Sequence, residues 1–233
     1  MCSNYQPVTD VQRLLTYFGA ERAPELDPSP AEVWPLNLAP FIRLHEPGSG
    51  NRVVENAVFG MLPPFAKEIA YGRRTYNARS ETVHVLPTYK KPWEDGMRCI
   101  IPAEAIFEPC YESGKAVRWR IEQAGAVPMG IAGIYRPWRA PDGRRLWTMS
   151  MLTVDAEGHP VFARMHKPGD DKRMVVILHP DDHDAWLTCP VAQAPSFFKA
   201  WTGPLLAVPD PLPARAGRPG SLPPHDPQTG ELF

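Results

Sequence analysis

Cysteine is scarce in this chain, with four in 233 residues, at positions 2, 99, 110 and 189. No two of them form a Cys-x-x-Cys pair, which excludes the common zinc frameworks and a small-domain disulfide lattice. Reduced thiols in a cytoplasmic protein are the expectation. Long hydrophobic runs are missing too. None approaches the roughly 20 residues that span a bilayer, and no basic stretch followed by an apolar one marks a secretory signal. There is no glycine-rich phosphate loop and no Gly-x-Ser-x-Gly elbow, so no nucleotide cofactor is expected. His179 and His183 stand four apart in "HPDDH" but have Pro180 between them, and no metal site is expected there. Regular alternation of strand and helix is also lacking, which excludes a Rossmann sheet.

Proline, in contrast, is abundant at 29 residues and spread along the chain, which indicates many short elements joined by turns. Hydrophobic residues make up 43% and charged residues 22%, the composition of a globular domain. Net charge is −1, but it is unevenly placed. Lys67 to Arg173 holds 18 Lys and Arg against 13 Asp and Glu, while the flanks hold 7 against 13. A basic middle is compatible with a phosphate-binding face, although solvated charges without a partner give the same count.

Strands are expected at "RCIIP" (98–102), "VRWRIE" (117–122), "LWTMSMLTV" (146–154) and "MVVIL" (174–178), with "NRVVENAVFG" and "ETVHVL" as further candidates. Helices are fewer. "TDVQRLLTYFGA" is capped by Thr9 or Asp10 and puts Val11, Leu14, Leu15 and Phe18 on one face. "HPDDHDAWLTC" has Pro180 and acidic residues in its first turn, with Trp186 and Leu187 turned inward. "SPAEVW" and "APSFFKAW" are candidate short helices. The pattern describes a β-dominated α+β domain with peripheral helices. It covers residues 1–208 and is followed by a proline-rich, disordered tail over 209–233.

Position 2 carries the unusual chemistry. Once Met1 is removed, Cys2 offers an α-amine and a thiol on adjacent carbons, a pair no internal residue has. Three segments could work with it. "TYNARSET" (75–82) brings an amide, a cation and a carboxylate close together before a strand-like run. "RCIIPAEAIFEP" (98–109) runs from a strand to Glu108, between Phe107 and Pro109, where apolar neighbours suit a general acid/base. "FARMHKPGDDKRMVVIL" (162–178) places His166 in a basic loop before a buried strand. Taken singly, each segment also fits a bland role: a polar turn, an exposed carboxylate or a structural histidine.

In order, Met1-Cys2, Asn77-Ala78-Arg79-Ser80-Glu81-Thr82, Arg98-Cys99-Ile100-Ile101-Pro102-Ala103 with Phe107-Glu108, and His166 ahead of Met174-Val175-Val176-Ile177-Leu178 resemble the SRAP family, the SOS-response-associated peptidases or abasic-site-processing proteins. The resemblance runs from residue 1 to about 208. It implies curved, barrel-like sheets and a monomer that binds single-stranded DNA containing abasic sites, at damaged DNA in the nucleoid. It also implies a covalent link from Cys2 to the lesion, with lyase-like and autoproteolytic peptidase activity. The catalytic set it implies is Cys2, Asn77, Glu108 and His166. For DNA it implies Arg79, with Arg73, Arg74 and Asn4 near the place of an expected Arg, because Ser3-Asn4 stand where many members have Gly-Arg. Pro109 replaces a frequent Trp, and the path from His166 to the strand is longer than usual. His159 is the rival histidine. Phe65, Trp93 and Trp138 could stack on bases, though each suits the core better.

The adjacent amine and thiol explain why Cys2 must be terminal. The amine forms an imine with the ring-opened sugar aldehyde, releasing water. The thiol then adds to the imine carbon and its proton passes to nitrogen, closing a five-membered thiazolidine. An N-terminal-cysteine peptidase or amidohydrolase, acting on itself or on a peptide, is the alternative that shares these residues. A non-catalytic nucleic-acid binder is a third.

Overall fold

The computed structural model describes residues 2–22, 28–46 and 48–213. Its strands are β1 (Asn4–Pro7), β2 (Ala20–Arg22), β3 (Leu38–Leu44), β4 (Arg52–Phe59), β5 (Asn77–Arg79), β6 (Arg98–Cys110), β7 (Val117–Gln123), β8 (Met129–Arg139), β9 (Arg145–Asp155), β10 (Arg173–Val175), β11 (Ile177–Leu178) and β12 (Leu205–Pro209). The helices are α1 (Val11–Thr16), α2 (Lys90–Glu94) and α3 (His183–Thr188), with short 3-10 turns between strands.

Five of the strands close on themselves. β3 pairs with β4, β4 with β9 in parallel, β9 with β8, β8 with β6, and β6 returns to β3 where Ile100 faces Ile42. The reason lies in apolar residues buried on both faces of these strands. Phe41, Ile42, Ile100, Ile101, Ile131, Ile134, Met149 and Met151 are all fully buried, and closure removes the sheet edges that would otherwise need covering. Gly133 sits where β6, β8 and β9 crowd. A Cβ there would meet Cys99 Sγ and Ile101 Cδ1 at 2.9 Å.

β6 is the strand that links barrel to site. Its first six residues are buried on both faces, as a continuous apolar run should be. At 98–103 it pairs with β8, and at 106–110 with β7. Its last residues therefore leave the barrel and carry Glu108 out beside the chain's N-terminal strand, β1, which pairs antiparallel with β6.

The expected strands at 98–102, 117–122, 146–154 and within 51–60 are present, with β6 running much further than expected. "MVVIL" is divided. Val176 accepts from Ala132 N–H and donates to Leu152 O, so the chain crosses from β9 to β8 at that residue. Three expectations are corrected. "ETVHVL" is not a strand: consecutive turns return Val83 N–H to Arg79 O and Leu86 N–H to Thr82 O, and Val85 and Leu86 lie at the surface. "SPAEVW" is not a helix, because both backbone groups of Val33 are spent on Tyr5. Leu15 is exposed, since only Leu14 and Phe18 of that helical face reach the core. The Asp10 cap is present and accepts from Arg13 N–H at 2.8 Å.

At the C-terminal end, β12 pairs with β7 from Leu205 to Pro209, and Asp210 N–H donates to Arg118 O. The ordered backbone thus passes the expected boundary at 208. Residues 214–233 of the expected tail lie outside the described residues. No helix among the described residues is long and apolar enough to cross a membrane.

Candidate active site

The β1–β6 register puts Asn4 opposite Phe107 and Tyr5 opposite Ile106. Continued by two residues, that register brings Cys2 alongside Glu108 and Pro109. Cys2 is 1% exposed. Its carbonyl accepts from Asn77 Nδ2 at 2.8 Å, and its thiol lies 3.3 Å from Asn4 O. Burial pushes the thiol well above its ordinary range, and the carboxylate of Glu108 pushes it further the same way. The sulfur therefore keeps its proton at neutral pH.

Asn77 reaches Cys2 from a different part of the sheet. It begins β5, which adds to β9 with Asn77 opposite Met151, and its own carbonyl is held by the Tyr89 hydroxyl at 3.0 Å. Glu108, 1% exposed, stands 3.0 Å from His166 Nε2 through its Oε2. His166 is delivered by an uncommon backbone, with φ at +64°, a left-handed conformation that a non-glycine residue holds only when its surroundings impose it. Here the constraint is visible: His166 N–H donates to Pro109 O at 2.7 Å, and Met165 bridges to Cys110. The histidine loop is thus tied to the two residues that follow Glu108 at the end of β6.

Four sequence-distant residues, Cys2, Asn77, Glu108 and His166, therefore meet at one corner. The rival histidine does not join them. His159 Nδ1 accepts from Val161 and Phe162 N–H, and its Nε2 bonds to Trp201 O at 2.8 Å. Both ring nitrogens are used to shape a turn.

Arg79 ends β5 at the mouth of a cleft of about 400 Å³ that is also lined by His166, Gly169, Asp170, Asp171 and Arg173. Its guanidinium meets Asp171 at 2.9 Å. Arg73 and Arg74 are exposed on the 3-10 turn Ile69–Arg74, with Arg74 lying over the Tyr71 ring. Asn4, expected at the DNA, lies inside the N-terminal strand. It is 3% exposed and its amide donates to Glu32 Oε2 at 2.9 Å, so it braces the N-terminal strand from inside. Trp93 and Trp138 are buried, whereas Phe65 is exposed.

Sequence reasoning missed several neighbours. Glu32 also accepts from Arg118 at 2.6 Å, and Arg118 lies 3.6 Å over the Phe107 ring, which ties β7, β6 and β1 together. Tyr76, just before Asn77, has its hydroxyl raised chiefly by burial, and its coupling to Cys2 and Glu108 puts it at the same corner. Arg173 is buried, grips Glu81 with two bonds of 2.7 and 2.9 Å, and also reaches Thr153 O at 2.8 Å. That guanidinium holds Glu81 below the usual carboxylate range. The charge alternation in "VRWR" was a signal for Arg118, while nothing local marked Arg173 as buried.

His183, from "HPDDH", is buried and stacked on Phe18 at 5.5 Å. Burial, helped by Arg52, lowers it to about 4, so it stays neutral. Among the described residues no group of three or more His, Cys, Asp or Glu is placed to hold a metal.

The family model for the SOS response associated peptidase (SRAP) matches residues 1–205. The chain belongs to the SRAP family. It is 28% identical over 192 residues to the abasic site processing protein YoqW of Bacillus subtilis, covering 80% of each chain. It is 30% identical over 168 residues to YoaM of the same organism, also an abasic site processing protein, covering 70% of each. A crystal structure of a protein from Bordetella bronchiseptica superposes with a TM-score of 0.82 at 38% identity, covering 91% of this chain and all of that one. The SRAP fold of the relatives is the barrel described above.

Proposed function

We propose that this SRAP protein processes abasic sites by binding single-stranded DNA and trapping the ring-opened sugar aldehyde on Cys2 after Met1 removal. The observation that carries the reading is the convergence of Cys2, Asn77, Glu108 and His166 from four separate segments. The amine attacks the aldehyde carbon, water leaves, and the thiol adds to the resulting imine with its proton passing to nitrogen. Asn77 fixes the Cys2 carbonyl, so the amine and thiol present one geometry to the sugar.

The state of the thiol supports an order of events. A thiol pushed up by burial and by Glu108 is a poor free nucleophile, so the amine acts first. In this reading His166 protonates the sugar oxygen as the ring opens to the aldehyde, and after the imine forms Glu108 accepts the thiol proton and passes it on.

The test is a denaturing gel. Single-stranded DNA with one abasic site should give a slow band with the wild-type chain, and none with Cys2→Ala or with a chain shown by mass spectrometry to keep Met1. A slow band from the Met1-retaining chain would remove the amine from the reaction. Cleavage of a peptide without any DNA adduct would favour the peptidase reading instead.

A further inference from the structure

Between His166 and β10 the chain makes a loop, Lys-Pro-Gly-Asp-Asp-Lys, whose shape is held from inside. The Lys172 ammonium donates to three successive carbonyls, Met165 at 2.8 Å, His166 at 3.3 Å and Lys167 at 3.4 Å. Asp170 N–H returns to Lys167 O at 3.1 Å, and Gly169 supplies the turn with φ at +87°. Three carbonyl dipoles converging on one ammonium make a braced loop. Its tip carries Asp170 and Asp171, both exposed. Asp171 Oδ2 accepts from Arg79 at 2.9 Å, and both residues line the cleft beside His166. The cation best placed to hold a phosphate there already faces a carboxylate.

We infer that Asp171 is a specificity-determining residue, an internal carboxylate that competes with a DNA phosphate for Arg79. The inference rests on the single-strand-binding reading above. The magnitudes decide what the competition does. Arg79 is 44% and Asp171 68% exposed, and an ion pair so open to water holds its partners only weakly. A strand that brings several phosphates and a seated sugar displaces the carboxylate readily. A short sugar phosphate, with one anion to offer, exchanges one partner of Arg79 for another and gains little. Because Lys172 braces the loop, the displaced carboxylate stays near the incoming phosphate and continues to repel it. Asp171 therefore weakens the hold on intact strands, so that prolonged occupancy falls to strands fixed covalently through Cys2.

The test uses the full chain with Asp171→Asn and a lesion-free, fluorescently labelled oligonucleotide at low salt. Dissociation constants should fall about two- to fivefold relative to wild type. In an Arg79→Gln background the same change should have almost no effect, because the competed cation is gone. Equal or weaker binding by Asp171→Asn would overturn the inference. So would an equal gain in the Arg79→Gln background, which would reduce Asp171 to bulk charge. Wild-type cross-linking to lesion DNA is run alongside. If that succeeds while the affinity comparison fails, only the role of Asp171 falls. If wild type neither binds nor cross-links DNA, the function reading falls and takes the inference with it.

Discussion

On the two sides of His166, carboxylates meet their partners at almost the same distance, 3.0 Å for Glu108 on His166 and 2.9 Å for Asp171 on Arg79. Their surroundings differ. The first pair is 1% and 6% exposed, the second 68% and 44%. Distance therefore does not rank them, whereas burial does. Away from water a charge interacts strongly and is costly to leave without its partner. At the surface, solvent and salt screen the same contact. One pair is suited to hold a proton-transfer geometry, the other to be exchanged for a ligand. Glu81 on Arg173 is mixed: the arginine end is 6% exposed and the glutamate end 51%.

The largest effect that tests this contrast is at the buried pair. Glu108→Gln keeps the shape but removes the base, and general acid/base assistance of this kind is worth about 100-fold or more. The initial rate of cross-linking should fall by that factor, measured by quenched time points on lesion DNA, with lesion-free strand affinity much less altered. The thiol of Cys2 should also titrate lower in Glu108→Gln, because one of the two causes that raise it is the Glu108 carboxylate. Thiol alkylation followed against pH reads that directly. A rate within a few-fold of wild type would take proton transfer away from Glu108.

What could be read in advance follows the same division. The barrel was legible because its signals are local: "RCIIP", "LWTMSMLTV" and "NRVVENAVFG" are apolar runs, and such runs become the strands that fill an interior. Cys2, Asn77, Glu108 and His166 were singled out as chemistry-bearing, but their meeting point depends on the β1–β6 and β5–β9 pairings, which no local pattern encodes. "ETVHVL" misled because its β-branched residues suggest a strand, while the pairing of Glu81 with Arg173, 92 residues away, accompanies a turn. The burial of Asn4 was hidden for a related reason. Its partner Glu32 lies in a segment that looked helical, and only the bridge between Val33 and Tyr5 brings the two together. Burial of a polar side chain is a tertiary property, and it is also what separates the two carboxylate contacts.

An intermediate effect is expected at the mixed pair. Glu81→Gln leaves the buried Arg173 with Thr153 and a neutral amide, and the half-exposed position of Glu81 limits the loss to about 1 kcal/mol. The sign with pH follows from the direction of the shift. Glu81 is held below the ordinary glutamate range by Arg173, so its contribution is complete above that range, near pH 4.3, and is lost as pH falls through its lowered folded-state value. Glu81→Gln has no such contribution to lose. The gap in melting temperature between the two proteins should be present at pH 7 and close in acid. A gap that persists unchanged to pH 3 would mean the pair acts by shape and not by charge.

The smallest effect belongs to the exposed pair, and it separates a phosphate contact from a structural one. Arg79→Gln should leave the melting temperature close to wild type, because an ion pair this open adds little to folding. If Arg79 meets a phosphate beside the lesion, its removal takes away one neutralised charge. The slope of log affinity for single-stranded DNA against log salt should then become shallower by about 0.7. Affinity itself should drop evenly across sequences, since a phosphate contact carries no base information. A lowered melting temperature with an unchanged salt slope would reverse the assignment. It would make Arg79 on Asp171 a strut for the histidine loop, closer in kind to Arg173 than to an exchangeable surface cation.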